Sequence, residues 1–161
     1  MINFWQDAEQ RARRYAQLIN TRLMTRLGAG YDGVVFATEI GSAIKSLRFE
    51  ELYRRERDVY TRLWEAGIES VAGCHVPRLL NFDDELWVVE FEIVQPSFVL
   101  DFAGAMLDRP IDYPQDVLDE WIQQKMEQFG EDWPQVQQVI LAFQQLGIYL
   151  ADVKPGNISF R

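Results

Sequence analysis

The chain has 161 residues, enough for one domain with a real core, and its 48% apolar and 25% charged content is ordinary for a globular protein. Its net charge of −9 argues against nucleic acid or an anionic membrane as partner, since both select clustered lysine and arginine. It shows neither a charged-then-apolar leader nor an apolar run of about eighteen residues, so a cytoplasmic location without membrane insertion is expected.

Residues Phe4 to about Leu23 predict a helix, with Ala8, Ala12, Tyr15, Ala16, Ile19 and Leu23 at 3–4 spacing and Arg11, Arg13 and Arg14 on other faces. Next comes Leu27-Gly28-Ala29-Gly30-Tyr31-Asp32-Gly33-Val34-Val35-Phe36, a G-x-G-x-x-G-x-V run flanked by stretches that suit a hairpin. Glycines so placed let backbone N–H groups approach phosphate oxygens without a Cβ in the way. In a dinucleotide site the third glycine would open a helix; here β-branched and aromatic residues follow it, which favours a strand. Ser42–Leu47 is the next strand and puts Ala43 and Lys45 on one face: room for a flat base beside a cation that reaches phosphate. A solvated edge lysine is the bland alternative.

Phe49 to about Ala66 predicts a charged helix with Leu52, Val59, Tyr60 and Leu63 as its buried stripe. Within it, Glu56 either joins the solvated face or turns inward to pair with Lys45. Cys74 and His75 are the only cysteine and histidine, which excludes an internal disulfide and a zinc site of Cys and His ligands. As neighbours in extended chain they point opposite ways, so they read as structural rather than as nucleophile and base.

Val76–Phe82 and Leu86–Val94 predict two strands around an acidic turn, completing a small antiparallel sheet, and Gln95-Pro96-Ser97 marks the passage to a helical half. Phe98–Leu107 has no clear period. Helices are predicted over Asp116–Phe129 and Trp133–Leu146, the second capped by Asp132, with Pro134 in its first turn and Gly147 at its end. The chain then reaches Asp152-Val153-Lys154-Pro155-Gly156-Asn157. A carboxylate that orients a hydroxyl, an ammonium that neutralises a phosphoryl group and a carboxamide oxygen that ligates a metal are the groups phosphoryl transfer uses. Pro155 fixes its own φ and biases Lys154 away from helix, giving the loop a defined shape.

In this order the elements resemble the protein kinase superfamily from about Leu23 onward, with Lys154 closer to the Ser/Thr-kinase pattern than to small-molecule phosphotransferases. The resemblance implies an α+β fold: a small antiparallel-sheet N-lobe over 23–94 with one αC-type helix, a partial helical C-lobe over 95–161, and the 1–22 helix in front, all one domain. It makes Gly28, Gly30, Gly33 and Val35 the lid over ATP, and Ala43 and Lys45 the strand contacting adenine and phosphates. Glu56 becomes the partner of Lys45, and Glu90–Val94 the hinge. Asp152, Lys154 and Asn157 become the catalytic aspartate, its lysine partner and a Mg²⁺ ligand.

Two departures accompany it. Leu150-Ala151 stands where the family has His-Arg, and the sequence ends at Arg161, before any Asp-Phe-Gly strand could follow. The principal Mg²⁺ carboxylate is therefore expected to be missing; Asp84, Asp101 and Asp152 are the substitutes considered, and nothing in the sequence places the first two near Asn157. Two functions follow: an ATP- and Mg²⁺-dependent phosphotransferase acting on a hydroxyl of a protein substrate, or a shortened kinase-like module (a pseudokinase) that binds nucleotide or a regulatory partner. The helix Trp133–Leu146 is expected to expose apolar surface that a homodimer or heteromer would cover.

Overall fold

A computed structural model describes residues 3–161. Helix α1 (Phe4–Leu18) starts at Asn3, whose side chain accepts the Trp5 N–H. It stops five residues earlier than its periodicity suggests. Asn20 adopts φ +57°, and the Asn20 and Thr21 N–H groups return to the Gln17 and Ala16 carbonyls, a left-handed cap that asparagine tolerates. Leu23 consequently opens β1 (Leu23–Ala29) rather than closing the helix.

β2 (Gly33–Thr38) and β3 (Ser42–Leu47) follow, then α2 (Glu50–Glu65), the short strands β4 (Ser70–Val71) and β5 (Cys74–His75), and finally β6 (Leu79–Asp83) and β7 (Val88–Glu92). The five longer strands form one antiparallel sheet in the order β1-β2-β3-β7-β6, so Lys45 lies on its central strand and not at an edge. Strand alternation sorts the side chains. Val34, Phe36, Ile44 and Val88 pack against Ala8, Ala12, Tyr15 and Ala16 of α1, whereas Ala43, Leu47, Val89 and Phe91 join the α2 side. Arg11 belongs to the first interface rather than to solvent: it donates to the Leu86 and Leu47 carbonyls at 2.8 and 2.9 Å and to Ser46 Oγ at 3.2 Å.

The remaining elements are β8 (Phe98–Val99), β9 (Met106–Leu107), α3 (Gln115–Phe129), α4 (Trp133–Gln145), β10 (Ile148–Tyr149) and β11 (Ile158–Ser159). β11 pairs antiparallel with β8, and β8 pairs parallel with β5, so the last strand is stitched to a segment far upstream. Trp133, Val136, Val139 and Phe143 of α4 are buried in the same core as Tyr60 and Leu63 of α2, with Ile140 and Leu146 partly buried against it and Leu141 exposed. Asp132 does not cap α4 with its side chain; a 3₁₀ turn over Gly130–Asp132 leads into the helix, and the Asp132 carboxylate instead takes Arg161 at 3.2 Å. Among the described residues no helix is long and apolar enough to cross a membrane.

The glycines of the β1–β2 turn are not equivalent. A Cβ on Gly33 would collide with the Ser46 carbonyl oxygen across the β2–β3 pair, while nothing stands within 4 Å of a Cβ on Gly28 or Gly30. Gly33→Ala should therefore cost about 1–3 kcal/mol in urea denaturation, as overpacking does. Gly28→Ala and Gly30→Ala should stay within about 0.5 kcal/mol of the parent.

Candidate functional site

A cleft of about 460 Å³ lies between the β1–β2 hairpin and the loop that follows β10. The hairpin contributes Gly28, Gly30, Gly33 and Val35, and β3 contributes Ala43 and Lys45. Glu56 enters from α2, and Asp152, Lys154 and Asn157 from the loop, so one cavity gathers every site residue predicted from sequence. The end of β7 lines it with Phe91 and Glu92, and the segment after β7 with Ile93 and Val94. Glu90 faces the other way, where it accepts the Tyr15 hydroxyl at 2.9 Å and the Ser42 hydroxyl at 2.7 Å, because alternation along β7 turns it toward α1.

Lys45 is the centre of the site. Its Nζ lies 2.8 Å from both carboxylate oxygens of Glu56 and 2.9 Å from Oδ1 of Asp101. Glu56 is fully buried and Lys45 nearly so, which leaves the inward reading of Glu56 and removes the solvated one. Burial works against the Lys45 ammonium, yet Glu56 and Asp101 together hold its pKa above the ordinary lysine value. Two carboxylates share this one cation, and their fates diverge. Burial pushes Glu56 up to about 7 against the pull of Lys45. At Asp101 the same upward push is outweighed by the charge and hydrogen bond of Lys45, and the carboxyl sits below its usual range.

Asp101 is the residue that sequence reasoning left unplaced. Its backbone has φ +70°, and Oδ1 also accepts the Ala103 N–H at 3.1 Å. It follows β8, whose partner β11 follows Asn157; the Leu100 N–H donates to the Asn157 carbonyl at 2.8 Å, so Asp101 and Asn157 sit at adjoining ends of two paired strands. The available signal was Phe98-Val99-Leu100-Asp101-Phe102-Ala103-Gly104, an apolar strand running into Asp-Phe-Ala-Gly, upstream of the loop and not downstream. Phe102 packs edge-on to Tyr60 at 5.0 Å, and a Cβ on Gly104 would lie 3.3 Å from that of Ala151. Asp84, the other substitute considered, lies elsewhere: it takes the Tyr53 hydroxyl at 2.6 Å and Arg57 at 2.8 Å.

The loop itself is anchored by Val153, which is buried, and by the Asn157 and Ile158 N–H groups on the Lys154 carbonyl. Asn157 Nδ2 donates to the Asp152 carbonyl at 2.9 Å, which leaves Oδ1 as its free acceptor, and Lys154 Nζ stands 3.7 Å from the Asp152 carboxylate. Two further polar groups escaped the sequence reading. Tyr60, one turn beyond Glu56, points a buried hydroxyl into the cleft wall with no partner among the described residues. Lys125 of α3 lies 5.6 Å over the Trp121 ring and in the field of Asp152 and Lys154; burial lowers its pKa.

The sequence matches no established protein family and no curated protein. Among solved structures, a ternary complex of streptomycin, ATP and APH(2″)-IIa is similar over 59% of this chain at 17% identity, with a TM-score of 0.42. The similar region spans 30% of that chain.

Removing Lys45 alone strands the buried Glu56 carboxylate and the partly buried one of Asp101. Lys45→Met should therefore cost about 3–5 kcal/mol, and pairing it with Glu56→Gln should recover at least about 1 kcal/mol, read as a double-mutant cycle in urea. The pH dependence has two signs. Asp101, depressed in the fold, stabilises above the unfolded carboxylate value and loses that contribution as pH falls through its folded pKa, so Asp101→Asn should flatten the acid limb below about pH 4. Glu56, raised in the fold, weakens stability as pH rises from its unfolded value towards about 7, and Glu56→Gln should remove that decline.

Proposed function

We propose that this protein is a phosphotransferase of protein-kinase type, moving the γ-phosphoryl group of ATP to a hydroxyl, with a serine or threonine of a protein as acceptor. The observation that carries the proposal is the meeting, in one cleft, of the Glu56–Lys45–Asp101 triad with Asp152, Lys154 and Asn157. Open space over Gly28 and Gly30 lets a triphosphate approach the backbone of the hairpin. Val35, Ala43, Phe91, Ile93 and Val94 give the cleft an apolar lining that suits a base. Lys45, oriented by Glu56, reaches the α- and β-phosphates; Asp152 orients the acceptor hydroxyl and takes its proton; Lys154 neutralises charge on the group in flight.

The donor set fits Mg²⁺. Asp101 supplies a carboxylate and Asn157 a carboxamide oxygen from adjoining strand ends, and this ion keeps several waters while binding one or two carboxylates and the substrate's phosphates. When bound, it would supply positive charge against the negative charge that develops in transfer. In this reading Asp101, supplied from upstream of the loop, takes the place of the metal carboxylate expected to be missing.

Thermal unfolding with ATP and Mg²⁺ tests the binding half. Saturating nucleotide should raise the parent's midpoint by roughly 5–10 °C, and Lys45→Met should abolish the shift. Asp152→Asn should keep the shift while lowering transfer of labelled γ-phosphate to a mixed protein acceptor by at least about 100-fold. An equal shift in Lys45→Met would sink the assignment of the cleft. A normal parent shift with no transfer to protein or small-molecule hydroxyls would make the protein a nucleotide-binding module.

A further inference from the structure

The tip of the glycine hairpin carries an acid. Asp32 sits between Tyr31 and Gly33, and its position is held at the backbone: its carbonyl accepts the Arg48 N–H at 2.7 Å, while the Arg48 guanidinium stacks 4.8 Å from the Tyr31 ring. With the tip fixed from outside, Asp32 borders the cleft, in the field of Lys45, Asp101, Asp152 and Lys154. A carboxylate is an odd occupant of a loop whose backbone is open to phosphate, because it repels the very charge the loop would cradle.

The charge inventory of the cleft makes the consequence concrete. Asp32, Glu56, Asp101 and Asp152 face it against Lys45 and Lys154, and the remaining acid, Glu92, is paired with Arg78 at 2.7 Å. Two negative charges are left over with Glu56 ionised, and one with it protonated. That surplus is on the scale of one divalent cation. Tyr60, 1% exposed, also lines the cleft, and its hydroxyl has no hydrogen-bond partner among the described residues.

We propose that Asp32 makes this cleft discriminate between forms of its nucleotide: it rejects the metal-free nucleoside triphosphate and admits the complex with a divalent cation. The inference rests on the phosphotransferase reading and deepens it. Asp32 acts as an electrostatic gate on the lid. Opposite a bare triphosphate its charge adds to those of Asp101 and Asp152. Opposite a metal complex the cation offsets two of the triphosphate's negative charges, and the penalty falls. Burial raises the pKa of Asp32, in keeping with a carboxylate turned inward.

Calorimetric titration with ATP tests the gate, in Mg²⁺ and in excess chelator, on the parent and on two neutral variants, Asp32→Asn and Asp32→Ser. The parent should bind the Mg²⁺ complex at least about 100-fold more tightly than free ATP. Both variants should tighten free ATP by about tenfold or more, shrinking that ratio, with circular dichroism unchanged. A ratio that stays within about twofold of the parent's in both variants would overturn the gate while leaving the nucleotide site intact. So would a parent that binds the two forms equally. If no protein binds ATP in either condition, the phosphotransferase reading fails, and the gate fails with it.

Discussion

The buried ammonium of Lys45 organises this molecule. Lys45 stands on the middle strand of the sheet, and its charge is tolerated there because Glu56 comes from α2 on one side and Asp101 from the segment after β8 on the other. An isolated charge so deep would cost several kcal/mol, and an ion pair of this kind is at best near neutral for stability compared with apolar packing. The arrangement therefore makes most sense as a functional constraint that the fold is built to satisfy. α2 must lie close to the sheet for Glu56 to reach in, and the Arg62–Asp108 bridge at 2.7 Å ties the far end of α2 to the second half of the chain. The Tyr60–Phe102 contact links the same helix to the residue after Asp101.

The other constraint is the order in which the chain supplies these groups. Asp101 comes from the middle of the sequence and Asn157 from near its end, yet β8 and β11 lie side by side and bring them together. Between them run α3 and α4, whose apolar faces fill the core beneath the loop. Strand pairing specifies neighbours in space and is indifferent to which strand is made first. The carboxylate proposed to hold the metal thus precedes the loop in sequence and adjoins it in space. Asp152, Lys154 and Asn157 thereby share one cleft with Lys45, Glu56 and Asp101.

Much of this was legible because spacing carries chemistry. The hairpin glycines, the Ala43–Lys45 alternation and the Asp152–Asn157 loop all lie in segments whose period or turn residues fix the local geometry, whereas the charged run around Glu56 left its direction open. What escaped notice lies where local signals vanish. β8 and β11 are two residues each, too short for any periodicity, and their pairing is set by tertiary contact. The early end of α1 turned on Asn20 accepting a left-handed backbone, which competes with an apolar pattern that continues through Leu23. Asp132 looked like a cap, but the 3₁₀ turn in front of α4 and the proximity of Arg161 gave it another role.

The most direct test of the central claim is whether Asp101 holds the cation. Mn²⁺, which prefers the same oxygen donors as Mg²⁺, can be followed by electron paramagnetic resonance with ATP present, on the parent and on the near-isosteric Asp101→Asn. The account predicts nucleotide-dependent Mn²⁺ binding at about one equivalent in the parent, weakened at least about tenfold in Asp101→Asn. Binding that is equally tight in Asp101→Asn would contradict it, and would return the metal site to Asn157 and Asp152 alone.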